Sequence, residues 1–262
     1  MKKIKDILEG IYSNNELRET CIPLFIGNPG LGKSILIQEF AKEKGVGVVE
    51  MIGSTLMPHE ISGISIPDQE TKMMSYFDYD RLLNMKDGDI LFLDELLNTN
   101  SMVLNAFLTL LTTRKMISGK SLPKIMIVAA ANSQGASILT PQIKERFIFY
   151  DVKFDASMWS RYMYKKYNVI DEVMTELVTL VSNETFLSSE RNYFSPRSVD
   201  KALNMIINGI ETPYDKTLLP ILNKLVTNTT GEPIEYSDKK QWMPDEKISW
   251  LKLKRKIKTE EQ

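Results

Sequence analysis

Eight consecutive residues near the start of the chain have the spacing of a phosphate-binding loop. The pattern Gly27-x-x-x-x-Gly32-Lys33-Ser34 combines glycines, which permit close backbone approach, with a lysine and a hydroxyl. Amides of such a loop point at phosphate oxygens, and the following helix adds a favourable dipole. The pattern predicts nucleotide contacts from the whole loop, namely Gly27, Asn28, Pro29, Gly30, Leu31, Gly32, Lys33 and Ser34.

The last two residues of this loop predict distinct roles. Lys33 is expected to place its ammonium near the β- and γ-phosphates, and Ser34 to offer its hydroxyl to Mg²⁺. The sequence therefore predicts a nucleoside triphosphate with its magnesium ion as the ligand.

An acidic pair further along the chain has the chemistry that completes such a site. Four apolar residues, 90–93, lead into Asp94 and Glu95. At a strand end, Asp94 can hold Mg²⁺ through water, and Glu95 can polarise an attacking water as a general base. The alternative is a surface turn that begins with two acids.

The elements around these motifs predict an α/β fold. Apolar runs at residues 21–26, 46–52, 90–93 and 125–131 have the length of buried strands, and residues 35–44 and 101–111 have helical periodicity. Residues 53–80 indicate a helix interrupted by a loop or hairpin, 115–122 a hairpin, 140–147 a short helix and 147–152 a further strand. This alternation predicts a P-loop-type parallel sheet flanked by helices, with ligands at the carboxyl ends of the strands.

The second part of the chain differs in character. Helical patterns at 158–167, 171–183, 198–208 and 218–226 predict a small all-helical lid domain. We expect a nucleotide-binding domain at 1–154, the lid at 155–236 and a lysine-rich tail at 237–262.

Composition excludes several functions. A net charge of −1 over 262 residues provides no overall field for nucleic acid, so nucleic acid binding is not favoured. One cysteine and one histidine exclude an intramolecular disulfide, a multi-thiolate zinc site and a histidine-rich metal site. No apolar run approaches about 18 residues, and no signal-type apolar region follows the first lysines. We expect a soluble, cytoplasmic protein.

Together these motifs resemble the AAA+ superfamily. The resemblance implies that Asn132, after the strand 125–131, positions the lytic water, that Arg146 is an arginine finger contributed to a neighbouring subunit, and that Arg197 is a second sensor in the lid. The residues alone leave alternatives open. Asn132 can be a turn residue, Arg146 can pair with Glu145, and Arg197 can be an exposed arginine at a helix start.

Two segments are similar to the MoxR-like and dynein-related branch. Residues 56–63 resemble its helix-2 insert, and residues 110–119 its helix and hairpin before sensor 1. Within that second segment, Arg114 is either a second arginine acting in trans or a solvated helix end.

The resemblance implies a function. It implies an ATP- and Mg²⁺-dependent ATPase that assembles into a ring, expected to be a hexamer, and acts as a motor or chaperone-like remodeller of a protein client. One alternative is a nucleic-acid-directed ATPase, such as a helicase, a loader or a GTP-using restriction-type motor. Another is a scaffold that binds nucleotide without turnover. The sequence leaves the choice between ATP and GTP open.

Overall fold

The computed structural model describes residues 2–133, 140–167, 171–182, 194–208, 210–214 and 216–222. The chain divides into two compact units, with the boundary between Lys153 and Phe154. Predicted helix residues beyond 222 and the predicted tail at 237–262 lie outside the described residues. Among the described helices, none has the length and apolarity needed to cross a bilayer.

The first unit is built around a sheet of five strands. Their bounds are β1 Pro23–Ile26, β2 Val48–Ile52, β5 Ile90–Asp94, β6 Met126–Ala131 and β7 Ile148–Asp151, and β3 Ile64–Asp68 and β4 Met73–Phe77 form a separate hairpin. The helices are α1 Lys2–Tyr12, α2 Asn15–Thr20, α3 Lys33–Lys44, α4 His59–Ser62, α5 Asp80–Leu83, α6 Ser101–Thr113 and α7 Pro141–Arg146, with a 3-10 turn at Leu96–Asn98.

The order of the strands is β2-β5-β6-β1-β7, and all their pairings are parallel. The parallel sheet that the sequence predicts is therefore confirmed. The residues of β1 and β6 are buried throughout, as are the four apolar residues of β5. This explains why these strands have continuous apolar runs, since helices cover both faces of such a sheet.

The helix after the phosphate loop begins earlier than its periodicity predicts. It starts at Lys33 rather than residue 35, directly after Gly32 in the left-handed conformation at φ 81°. Its end is as predicted, because Gly45 is also left-handed and its N–H donates to the carbonyls of Ala41 and Lys42.

Residues 53–80 form a short helix followed by a hairpin. Helix α4 leads into the antiparallel pair β3–β4, which extends from Ile64 opposite Phe77 to Asp68 opposite Met73. The predicted hairpin at 115–122 is reduced to a single bridge between Lys115 and Ser121.

The second unit is helical in its described parts. It contains α8 Ala156–Tyr167, α9 Asp171–Ser182, α10 Pro196–Ile207 and helical residues 216–222. Their apolar faces form one core that includes Trp159, Leu177, Val199 and Leu218. Helix α10 begins two residues before the predicted start, because Ser195 caps it and forms a reciprocal capping box with Ser198.

Candidate nucleotide-binding site

Three strands of the first unit end side by side. Strand β6 lies between β1 and β5, with Ile26 beside Ala131 and Leu93 beside Ala129. Because the strands are parallel, the predicted phosphate loop, the acidic pair and Asn132 all follow at the same carboxyl edge. This edge is where ligands bind in open α/β sheets.

The glycines of the loop have conformations that other residues rarely adopt. Gly30 and Gly32 have φ angles of 83° and 81°. A β-carbon on Gly27 would lie 2.5 Å from the carbonyl oxygen of Val152. The pattern that predicts a phosphate loop therefore coincides with a backbone that requires glycine.

Lys33 is buried within the loop, with 7% of its surface exposed. Its Nζ donates to the carbonyl oxygens of Gly27 at 2.8 Å and of Asn28 at 3.0 Å. The loop thus encloses an ammonium group that donates to two of the loop's own carbonyls. An anion that enters the loop meets this cation and the N-terminal end of α3 together.

Ser34 and Asp94, which are 60 residues apart in the sequence, are in direct contact. Ser34 Oγ donates to Asp94 Oδ2 at 2.7 Å, and the other carboxylate oxygen accepts the Glu95 N–H at 2.8 Å. A hydroxyl and a carboxylate are hard oxygen ligands of the kind that Mg²⁺ takes beside a nucleotide. The pair fits the predicted ion.

Glu95 has an unusual backbone conformation. It is a non-glycine residue in the left-handed region, at φ 53° and ψ 33°. Its Oε2 accepts a hydrogen bond of 2.5 Å from Ser54 Oγ. Strand β2, which Ser54 follows, lies on the side of β5 away from β6 and β1. Glu95 is therefore held from the side opposite the phosphate loop.

Gly53 allows the loops after β2 and β5 to pack closely. Its N–H donates to the Asp94 carbonyl at 2.8 Å. An added β-carbon would lie 2.0 Å from Thr99 Oγ1 and 3.0 Å from the Glu95 carbonyl oxygen. This close approach brings Ser54 to Glu95. Sequence reasoning missed both residues, and the only available signal was a glycine directly after a predicted strand.

Asn132 follows β6 at the same edge and is half-buried. The next residue, Ser133, donates from Oγ to Asn28 Oδ1 at 2.6 Å. The end of this strand is thus joined to the second residue of the phosphate loop. Ser133 is another residue that sequence reasoning missed.

Arg146 is half-buried at the end of α7, just before β7. Its Nε donates to Thr112 Oγ1 at 2.8 Å and its Nη1 to the Gln142 carbonyl at 2.9 Å. The alternative ion pair with Glu145 does not occur among the described salt bridges. Strand β7 begins at Ile148, which pairs with Pro23 at the start of β1. Arg146 comes two residues before Ile148, so it lies at the amino edge of the sheet, opposite the edge that carries the phosphate loop.

The two remaining arginines are placed differently. Arg197 is the second residue of α10 in the second unit, and its side chain is exposed. Arg114 has a left-handed backbone, and its guanidinium donates to the carbonyls of Ile125 and Glu19. Burial lowers the pKa of Arg114, an effect that the nearby Glu19 opposes. The solvated helix end that the sequence allowed for Arg114 is therefore wrong, because its guanidinium is bound within its own chain.

Comparison with known proteins finds a family match within the first unit. Residues 23–147 match the model of the AAA domain, dynein-related subfamily. Two uncharacterized proteins of Methanocaldococcus jannaschii, MJ0079 and MJ0812, are each 29% identical to this chain over 133 residues, or 49% of it. The chain spans about a third of their lengths, 33% and 34%.

Solved structures share the fold. Two mutant forms of RuvB from Thermotoga maritima align with TM-scores of 0.56 and 0.54, at 15% and 16% sequence identity. The alignments cover 89% and 85% of this chain and 73% and 70% of those chains. At this level of identity the likeness establishes the architecture alone.

Proposed function

Because the chain carries an AAA domain of the dynein-related subfamily at residues 23–147, we propose that it binds and hydrolyses ATP as a ring-forming remodeller of a protein client. The observation that carries this proposal is the contact of 2.7 Å between Ser34 Oγ and Asp94 Oδ2. It brings the last residue of the phosphate loop to the acid that precedes the proposed base.

The residues at this edge divide the chemistry among them. The amides of the loop and the ammonium of Lys33 bind and orient the phosphates. Ser34 and Asp94 would hold Mg²⁺, which neutralises phosphate charge when bound. Glu95 accepts the proton of the attacking water, and Asn132 orients that water from the end of β6.

The position of Arg146 supports assembly into a ring. It lies at the amino edge of the sheet, whereas the phosphate loop of its own subunit lies at the carboxyl edge. Gly27 is four steps along the chain from Pro23, the first residue of β1, or about 13 Å at the usual rise of a strand. Arg146 precedes the residue opposite Pro23 and so lies still further from the loop. A guanidinium there can stabilise a γ-phosphoryl group only on another subunit. We therefore propose a ring, with six copies as in the related families, in which Arg197 serves as the second sensor.

The hairpin β3–β4 supports a protein client. Its apolar side chains are well exposed, among them Ile64, Ile66, Met73 and Phe77. Asp68 is the one charged residue of the two strands, and the turn between them adds Glu70 and Lys72. A phosphate backbone would meet a single cation beside two acids, whereas an apolar polypeptide would bury apolar surface.

The test is equilibrium binding of Mg·ATP and Mg·GTP by calorimetry, followed by phosphate release with and without DNA or RNA. We expect binding that Lys33→Ala abolishes and that Lys42→Ala, an exposed lysine of the same helix, leaves unchanged. Equal binding by both variants would contradict the site. If DNA or RNA increased the rate of phosphate release, and added salt removed this increase, the result would contradict a protein client.

A further inference from the structure

The phosphate loop contains one side-chain amide, that of Asn28, to which the proposed function assigns no role. Asn28 is exposed at the second position of the loop. Its side chain accepts a hydrogen bond of 2.6 Å from Ser133 Oγ, across 105 residues of sequence. Its backbone carbonyl accepts a bond of 3.0 Å from Lys33 Nζ. Asn28 is thus fixed at both its backbone and its side chain.

The bond from Ser133 determines how the amide is oriented. A hydroxyl that donates to Oδ1 fixes this oxygen toward Ser133, so the amide Nδ2 is the end of the side chain that can meet a ligand. The two N–H groups of Nδ2 are the only donors of this side chain. They are carried on an exposed part of a loop whose other donors are backbone amides, the buried Lys33 ammonium and the Ser34 hydroxyl.

The position of the pair indicates which phosphate the amide meets. Gly27, next to Asn28, donates its N–H to the carbonyl of Ala131 at 3.2 Å, so this part of the loop lies against the end of β6. Ser133 directly follows Asn132, the residue proposed to orient the attacking water. That water attacks the terminal phosphorus, so the amide lies on the side of the loop where the γ-phosphate is expected.

We propose that Asn28 is a γ-phosphate ligand, oriented by Ser133 as a positioning residue, and that the pair lets the site discriminate a nucleoside triphosphate from the diphosphate. This inference rests on the proposed function, since it concerns the same nucleotide. It goes beyond that function in assigning the discrimination to two named side chains. A donor to a charged group contributes more than one between neutral groups, so its loss should be measurable.

The experiment measures Kd for Mg·ATP and Mg·ADP in the Glu95→Gln background, which is expected to keep ATP intact. We expect Asn28→Ala to weaken ATP binding about tenfold and ADP binding far less. Ser133→Ala should weaken ATP binding in the same direction and add nothing when Asn28 is already alanine. Ser133→Thr, which keeps the hydroxyl, should restore affinity, and Ser65→Ala on β3 serves as a control.

Two results would overturn the inference. One is equal loss of ATP and ADP affinity in Asn28→Ala, which would assign the residue to loop structure alone. The other is an effect of Ser133→Ala that persists in full beside Asn28→Ala. Absence of nucleotide binding in the parent protein would instead overturn the proposed function, so the two failures are distinguishable.

Discussion

Ser54 and Glu95 are joined by a hydrogen bond of 2.5 Å, from Ser54 Oγ to Glu95 Oε2. Ser54 follows β2, and β2 lies on the far side of β5 from the strands that lead to the phosphate loop and Asn132. The proposed base is thus held by a group on the side away from the phosphates. In this conformation one of its two carboxylate oxygens accepts a hydrogen bond from Ser54.

Removing this bond should release the base. We expect Ser54→Ala to raise the basal kcat for ATP several-fold, because the carboxylate is no longer held, and to leave the Kd for ATP unchanged. Ser54→Thr keeps the hydroxyl and should behave as wild type. A fall in kcat with Ser54→Ala would show instead that Ser54 orients Glu95 for catalysis.

Gly53 provides a test of the packing behind this contact. An alanine there would bring its β-carbon to 2.0 Å from Thr99 Oγ1, so the loops after β2 and β5 must separate. We expect Gly53→Ala to lower the free energy of unfolding by about 1–3 kcal/mol, as overpacking does. Thermal or denaturant unfolding measures this.

The matched control is Gly10→Ala in α1, where an added β-carbon meets no atom within 4 Å. Alanine inside a helix is favoured over glycine, so this variant should be slightly stabilised. Equal stability of Gly53→Ala and the wild type would contradict the close packing of Gly53 against Thr99.

The proposed role of Arg146 as a finger for a neighbouring subunit can be tested with mixed assemblies. Loss of an arginine finger lowers kcat by about 10³–10⁵-fold, and we expect Arg146→Ala to lose turnover while still binding ATP. Lys33→Ala should be inactive for a different reason, because it cannot bind the phosphates. Mixing the two inactive proteins should restore phosphate release, since each supplies what the other lacks. Mixtures that stay inactive, although size-exclusion chromatography shows mixed assemblies, would contradict a finger acting in trans.

A polar cluster in the second unit predicts that the stability of this unit depends on pH. Tyr167 donates from its hydroxyl to Asp200 Oδ1 at 2.7 Å and to the Asp200 carbonyl at 2.9 Å, which joins α8 to α10. Burial and the bond to Asp200 raise the pKa of Tyr167 above its usual value. The folded state therefore favours the protonated hydroxyl.

This contribution to stability is fully present below the unfolded pKa of about 10 and decreases as pH rises above it. We expect Tyr167→Phe to destabilise the second unit by about 0.5–1.5 kcal/mol at neutral pH, because the part-buried Asp200 loses one of its donors. The difference between variant and wild type should shrink above about pH 10. Unfolding curves at neutral and alkaline pH measure it, and a difference independent of pH would contradict the assignment.

The local chemistry of the site was predictable from sequence, whereas its long-range contacts were not. Spacing alone located the loop with Lys33 and the acid Asp94, because the motif and its flanking elements are contiguous. Ser54 is 41 residues from Glu95, and Ser133 is 105 residues from Asn28. Such pairs emerge only once the order of the strands is known, and serines in loops have no distinctive pattern. The surroundings of Arg114 were equally hidden, because its guanidinium donates to the carbonyl of Glu19, 95 residues away in the sequence.

We propose that this edge of the sheet binds ATP and cleaves it with Glu95 as the base. The most direct measurement is phosphate release together with ATP affinity, in Mg²⁺, for wild type and Glu95→Gln. We expect the variant to bind ATP as wild type does and to lose at least about 100-fold in kcat, the usual contribution of a general base. Unchanged turnover in Glu95→Gln would contradict the role of Glu95 as the base, and a wild type that binds no ATP would contradict the nucleotide site.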